Sequence, residues 1–177
     1  MRKASIVTVS AFSLFASLAV AAPPPFNSLP TFIDNGTTLT AAGSLNGLGG
    51  GDLEITLEAT GTETVVCADP VGVDPPPATE IVLTGTKVVT ATANTPVAFA
   101  DLVSSLPPAP ACALAEGDGL APSHDVTFTK AALKIRPVQT DPMLPPLKML
   151  RCIQCTFKAP SIDGPAKPQH CLSMTMC

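Results

Sequence analysis

The sequence contains neither tryptophan nor tyrosine, and aromatic residues make up only 4% of the chain. This absence argues against a carbohydrate-binding platform, because such platforms use large exposed rings with one apolar and one wet side. Phe99 and Phe128 fall at apolar positions of strand-like segments, so we assign them to a core. Histidine is almost as scarce, with two residues in 177, which leaves few candidates for general acid–base catalysis.

Basic residues are scarce over most of the chain. From Ala22 to Thr127 there are twelve acidic residues against Lys87 alone, a net charge of 1 − 12 = −11. From Phe128 to Cys177, seven basic residues face two acidic ones, a net of 7 − 2 = +5. The acidic part argues against nucleic acid or an anionic membrane as partner. We interpret it as a solvated surface. Scattered Ca²⁺ sites are the alternative, although no loop has the ligand spacing of an EF-hand; the candidates are Asp34, Asp52, Glu54, Asp69 and Asp74.

The only long apolar run is at the N-terminus. Residues 1–21 have a basic start, an apolar stretch over 6–20 and the small-residue pattern Ala19-Val20-Ala21, which together predict a secretory signal peptide cut after Ala21. The remaining 156 residues (177 − 21) suit one domain. We therefore expect a secreted protein, extracellular or periplasmic, with no membrane span in the mature chain.

The clearest structural pattern lies in Gly43–Cys67, GSLNGLGGGDLEITLEATGTETVVC. Apolar residues at 53, 55, 57 and 59 alternate with polar residues at 54, 56, 58 and 60, the period of a half-buried strand. The preceding glycines suit a tight turn rather than a phosphate-binding loop, which would need a helix after it. A second turn is expected at Gly61, followed by a strand that ends at Cys67.

Proline- and glycine-rich connections separate the other strand-like segments, and they are too short for crossover helices. Residues 79–92 predict one long strand or two short ones, with a bulge or break near Gly85, because unbroken alternation would point Lys87 into the core. A bulge near Lys130 likewise reconciles the two halves of residues 124–135. We predict an all-β fold: an immunoglobulin-like antiparallel β-sandwich of about seven strands over residues 36–137, preceded by an extended leader over 22–35.

Asn35-Gly36-Thr37 is an N-glycosylation sequon, but Asn-Gly is equally a turn signal. We favour the turn.

Six cysteines in an exported chain indicate disulfides. Only Cys67 and Cys112 lie within the strand-patterned domain, and we predict that they are paired. Closing a loop of this length stabilises the fold by about 4 kcal/mol in the chain-entropy model.

The character of the sequence changes after Pro137. Residues 138–177 are rich in proline and methionine and show no regular period, so we predict an irregular, disordered tail. Its cysteines leave several interpretations open: disulfides or free thiols, a metal site, a redox site, or a segment produced by a frame error. The candidate metal ligands are Cys152, Cys155, His170, Cys171 and Cys177. Their spacing does not match a zinc ribbon, and proline-rich flanks do not match a thioredoxin-like site, so no cofactor is predicted.

The segment over 43–67, the proline-rich loop, Cys112 and the terminal strand DVTFTKAALKI together resemble a group of small uncharacterised secreted proteins, chiefly bacterial. These share a Gly-Leu-Gly-x-Gly-Asp turn and two cysteines. The resemblance covers roughly residues 26–135 and implies an exported β-domain with Cys67 matched to Cys112. It implies no activity. The tail departs from the group's pattern.

No catalytic residue is predicted. His124 lies beside Asp125, but nothing like Gly-x-Ser-x-Gly accompanies them. Glu54 and Glu58 fall on the wet face of their strand and are interpreted as solubilising charge, although a glycosidase pair is the alternative. We therefore predict a monomeric, non-catalytic binding or structural module for an unknown extracellular or cell-envelope ligand. The alternatives are a secreted hydrolase and a disulfide-rich extracellular inhibitor or effector.

Overall fold

A computed structural model describes residues 29–67, 77–109, 123–141, 143–145, 147–158 and 160–177. These residues form nine strands and no helix, so no helix among them is long and apolar enough to cross a membrane. The strands are β1 (Thr31–Asp34), β2 (Leu39–Leu45), β3 (Gly51–Val66), β4 (Thr79–Ala91), β5 (Val97–Val103), β6 (Ser123–Pro137), β7 (Arg151–Phe157), β8 (Gly164–Ala166) and β9 (Pro168–Met174).

The strands form two sheets in which every pairing is antiparallel. Sheet A has the order β5-β2-β1-β8, and sheet B has the order β4-β3-β6-β7-β9. Buried apolar side chains from both sheets make one continuous cluster, which confirms the predicted all-β class with two antiparallel sheets packed as a sandwich. The edge strands of the two sheets are consecutive in the chain at both sides of the sandwich, β4 and β5 at one side and β8 and β9 at the other.

Strand β3 is the centre of sheet B. It pairs with β4 on one side and with β6 on the other, and the residues from Leu53 to Glu63 have a partner on both sides. Leu53, Ile55, Leu57 and Ala59 are buried, as the alternation predicts. The predicted turn at Gly61 is wrong, because β3 continues through it to Val66. A Cβ at Gly61 would lie 2.8 Å from the Thr127 carbonyl oxygen, so glycine is needed there for close packing.

The two strands that neighbour β3 differ in how regularly they pair with it. The bulge predicted near Lys130 is confirmed by a register shift of β6 opposite Thr60 and Gly61. The bulge or break predicted near Gly85 is wrong, since β4 is one continuous strand that pairs with β3 without a shift. Lys87 lies on the inward side of β4, as the alternation indicates. Because β4 is an edge strand, the Lys87 ammonium extends past the edge of the sheet and donates to the Ala100 carbonyl of β5. Long charged side chains commonly bury the stem and free the head in this way.

The prediction of a disordered tail is also wrong for much of residues 138–177. Strands β7 and β9 extend sheet B beyond β6, and β8 pairs with β1 in sheet A. Phe157 of β7 meets Phe32 of β1 edge to face, with ring centroids 5.4 Å apart. Strand β1 lies within the expected leader, so the sandwich extends past both predicted boundaries.

Gly85 tests how closely the two sheets meet at the β4–β5 side. A Cβ there would lie 1.9 Å from the Val103 carbonyl oxygen. The two backbone segments cannot easily separate, because the Ser105 N–H donates a hydrogen bond to the Thr84 carbonyl oxygen at 2.8 Å. Gly85→Ala should therefore lower the free energy of unfolding by about 3 kcal/mol. Gly49→Ala, where a Cβ meets nothing within 4 Å, should change it by less than about 0.5 kcal/mol. Urea unfolding measures both; equal effects would contradict this packing.

Candidate functional site

The Cys152-x-x-Cys155 motif lies on β7, and this position determines what its cysteines can do. Successive side chains of a strand point to opposite faces, so cysteines three residues apart cannot share one site. Cys155 faces the core and is bonded to Cys171, which lies directly opposite it on β9. Their Cα atoms are 4.1 Å apart.

Cys152 points to the other face of sheet B and is bonded to Cys177, with a Cα–Cα distance of 5.6 Å. The two disulfides thus hold the edge strand β9 and the chain that follows it against β7 from both faces. Metal binding requires thiolates, so the interpretation of these four cysteines as metal ligands is wrong. His170 neighbours Cys171 and therefore points to the opposite face. In the described part of the chain, no cluster of three or more His, Cys, Asp or Glu side chains could hold a metal ion.

The predicted pairing of Cys67 with Cys112 stays a prediction. Cys67 directly follows β3 and is not a free thiol, whereas Cys112 lies outside the described residues.

A polar cluster, consisting of Asp34, Gly36, Asp125, Ser161 and Asp163, lies at the end of the sandwich that carries the β1–β2 connection. The Asp34 side chain is 3% exposed. It accepts hydrogen bonds from the Gly36 N–H at 2.9 Å and from the Ser161 hydroxyl. Burial raises the pKa of the Asp34 carboxyl, the two hydrogen bonds oppose this rise, and the charges of Asp125 and Asp163 add to it.

Ser161 completes the hydrogen bonding of β6. Strand β7 pairs with β6 only as far as Lys130. Beyond that point Ser161 takes its place: its N–H donates to the Phe128 carbonyl at 3.0 Å, and its hydroxyl accepts from the Phe128 N–H at 2.7 Å. Because the same hydroxyl donates to Asp34, its donor and acceptor are engaged. Asp34, Ser161 and Phe128 therefore link sheet A, the β7–β8 connection and sheet B.

The other candidate catalytic groups are also held in pairs. His124 contacts Glu63 at the start of β6, with both side chains half-buried, and is not paired with Ser161. Glu54 accepts from Arg136 Nε at 2.7 Å, and Glu58 pairs with Lys134. The two glutamates therefore each have a basic partner on the outer face of sheet B, which matches the interpretation of surface charge more than that of a glycosidase pair.

The outer faces of the two sheets differ in charge. Sheet B carries the Glu54–Arg136 and Glu58–Lys134 pairs on its outer face. The four strands of sheet A contain only two charged residues, Asp34, which is buried, and Asp101, which is exposed. We call the outward side of sheet A the uncharged face.

One row crosses the full width of the uncharged face. It runs from Pro165 on β8 through Ile33 and Thr40 to Val103 on β5, each directly opposite the next. Ile33 is 48% and Val103 44% exposed. The neighbouring rows contain the short side chains of Ala42, Ala98 and Ser44, which project little from the sheet.

Comparison with protein families, with curated proteins and with solved structures finds no match to this chain.

Sequence reasoning missed the polar cluster and the uncharged face for different reasons. Nothing around Ser161 indicates that it would replace a strand, and the pairing of Asp34 with it spans 127 residues. The uncharged face had a signal, since β1, β2 and β5 are almost free of charge. What was missing was the knowledge that these three strands and β8 share one sheet.

The raised pKa of Asp34 gives a pH test. A carboxyl whose folded pKa lies above its ordinary value of 3.8 adds stability that is fully present below that value and is lost as the pH rises through the folded pKa. The free energy of unfolding of the wild type minus that of Asp34→Asn should therefore fall as the pH rises from 3.8. Urea unfolding across that range measures it. A difference that grows with rising pH would contradict the assignment.

Proposed function

We propose that this protein is exported and acts without catalysis as an extracellular or cell-envelope module that binds a ligand or supports a structure. The signal-like N-terminus supports export, and the two disulfides are compatible with an oxidising compartment. We keep the resemblance to small secreted bacterial β-domain proteins as part of this proposal.

We also propose that the sandwich is immunoglobulin-like. In such domains the first, second and fifth strands share one sheet, and the third, sixth and seventh share the other. Here β1, β2 and β5 are neighbours in sheet A, and β3, β6 and β7 are neighbours in sheet B. Strand β4 pairs with β3, the position of the extra strand in variable-type domains. Strands β8 and β9 extend this arrangement by one strand per sheet.

The uncharged face is the observation that supports a binding role. A surface that docks against another macromolecule must lose its water, and removing water from charged groups is costly unless each finds a partner. A face of threonine, alanine, valine and isoleucine, with Asp101 as the one exposed charge in its strands, avoids most of that cost. Docking through the outer face of sheet B, in contrast, would remove the water from several charged side chains.

A charge placed in the middle of the uncharged face tests this role. The double variant Ile33→Lys, Val103→Lys should reduce co-sedimentation of the mature protein with isolated cell envelopes by about tenfold or more, because two unpaired ammonium groups would be buried. The matched control is Val82→Lys, Val88→Lys on sheet B, where the valines are 58% and 56% exposed. Equal loss in both variants, or loss in the control alone, would contradict the proposal.

An extracellular inhibitor is a second candidate, because the C-terminal segment is ordered and cross-linked. The β6–β7 connection presents Met143, 90% exposed, and Leu144, 58% exposed. Gln139 braces this connection by donating to the carbonyls of Asp141 and Leu144 at 2.7 and 2.6 Å. Braced, exposed apolar side chains suit insertion into the pocket of another protein, since little conformational freedom is lost on binding.

Inhibition assays distinguish this candidate. If it is right, the mature protein should inhibit at least one extracellular protease that prefers apolar side chains, and Met143→Asp should weaken that inhibition by about tenfold or more. Leu172→Asp on β9, where the leucine is 49% exposed, provides the control and should leave inhibition unchanged. A panel in which no protease is inhibited would remove this candidate.

A further inference from the structure

The chain contains two Asn-Gly pairs, Asn35-Gly36 and Asn46-Gly47, which have the same chemistry but different surroundings. In such a pair the glycine nitrogen can attack the Asn side-chain carbon. The bond to the side-chain amide nitrogen then breaks, this nitrogen takes up the proton lost from the glycine N–H and leaves as ammonia, and a succinimide remains. Water opens this ring to Asp or isoAsp. Glycine allows the approach because it has no side chain in the way, and asparagine is among the thermolabile residues.

Hydrogen bonds hold both reacting groups of Asn35-Gly36. The Gly36 N–H, the nucleophile, donates to Asp34 Oδ1 at 2.9 Å, and a nearby carboxylate opposes the loss of that proton. The Asn35 Nδ2 group donates to Thr40 Oγ1 at 2.9 Å and to the carbonyl and hydroxyl oxygens of Thr38, both at 3.3 Å. The Asn35 and Gly36 backbones are further tied to Thr38 and Val126.

The corresponding groups of Asn46-Gly47 are not held in this way. Asn46 Oδ1 is buried and has no hydrogen-bond partner among the described residues. Gly47 is exposed and lies outside the strands, with φ at 67°, and its N–H makes no backbone hydrogen bond within the described part of the chain. Leu48 and two further glycines complete the connection to β3, so little backbone structure opposes the approach of Gly47 N to the side-chain carbon.

From this contrast we propose that Asn46 is a site of spontaneous deamidation in the folded protein and that Asn35 is protected. The inference does not depend on the proposed function. Conversion would place a carboxylate where Asn46 Oδ1 is now shielded from water, and the isoAsp product would lengthen the backbone just before β3. Both changes destabilise this connection, so the modification would mark aged molecules.

Peptide mapping by mass spectrometry tests the proposal on the mature, disulfide-bonded protein incubated at mildly alkaline pH. Asn46 should convert at least about tenfold faster than Asn35 in the folded protein, because several hydrogen bonds must break before Asn35 reacts. In urea with reductant, the two sites should convert at similar rates. Faster conversion of Asn35 in the folded protein, or no conversion of Asn46 under conditions that convert it in urea, would overturn the proposal.

Two variants make the test specific. Thr40→Val removes the shortest hydrogen bond of the Asn35 amide group and keeps a good strand residue, so it should speed conversion at Asn35 and leave Asn46 unchanged. Asn46→Gln should abolish the mass change of that peptide and the loss of stability on ageing. If Thr40→Val has no effect on Asn35, the hydrogen bonds do not provide the protection and the structural argument fails.

Discussion

The pairing of β7 with β6 is the constraint on which the C-terminal half of the structure depends. Without β7, the long strand β6 would be an exposed edge with unpaired backbone groups, a site for aggregation. Strand β7 covers this edge from Lys130 to Ile135, and Ser161 continues the cover at Phe128. The same pairing fixes which face each residue of β7 takes. It therefore places Ile153, Cys155 and Phe157 in the core and determines how the four C-terminal cysteines can combine.

The two disulfides and the polar cluster act on the same problem from different places. On the inner face of sheet B a disulfide joins β9 to β7, and on the outer face a second disulfide joins the chain that follows β9 to β7. The Asp34–Ser161 hydrogen bond joins the β7–β8 connection to sheet A, next to the pairing of β8 with β1. The C-terminal segment is thereby bound to both sheets. This arrangement leaves the outer face of sheet A open, with Asp101 as the one exposed charged residue in its four strands, and this is compatible with the proposed binding role of that face.

Local sequence patterns predict the features that arise within a single strand, and pairing between distant segments determines the rest of the fold. The alternation of β3 and the shift near Lys130 are encoded within single strands and were predicted. The predictions at Gly61 and Lys87 are wrong because the roles of these residues depend on the neighbouring strands. A carbonyl of β6 lies against Gly61, and Lys87 lies on a strand with an open edge. Strand β7, RCIQCTF, has buried residues on both faces, so it shows no alternation of apolar and polar residues. Its place follows from its pairing with β6 and from the disulfide to Cys171 on β9.

Disulfide mapping of the exported protein by proteolysis without reduction, followed by mass spectrometry, tests the central claim most directly. The account predicts one linked pair of peptides containing Cys152 and Cys177 and another containing Cys155 and Cys171. A bond between Cys152 and Cys155, or free thiols that bind a metal ion together, would show that these cysteines lie on one side of the chain. Either result would contradict the placement of this segment as a strand of sheet B.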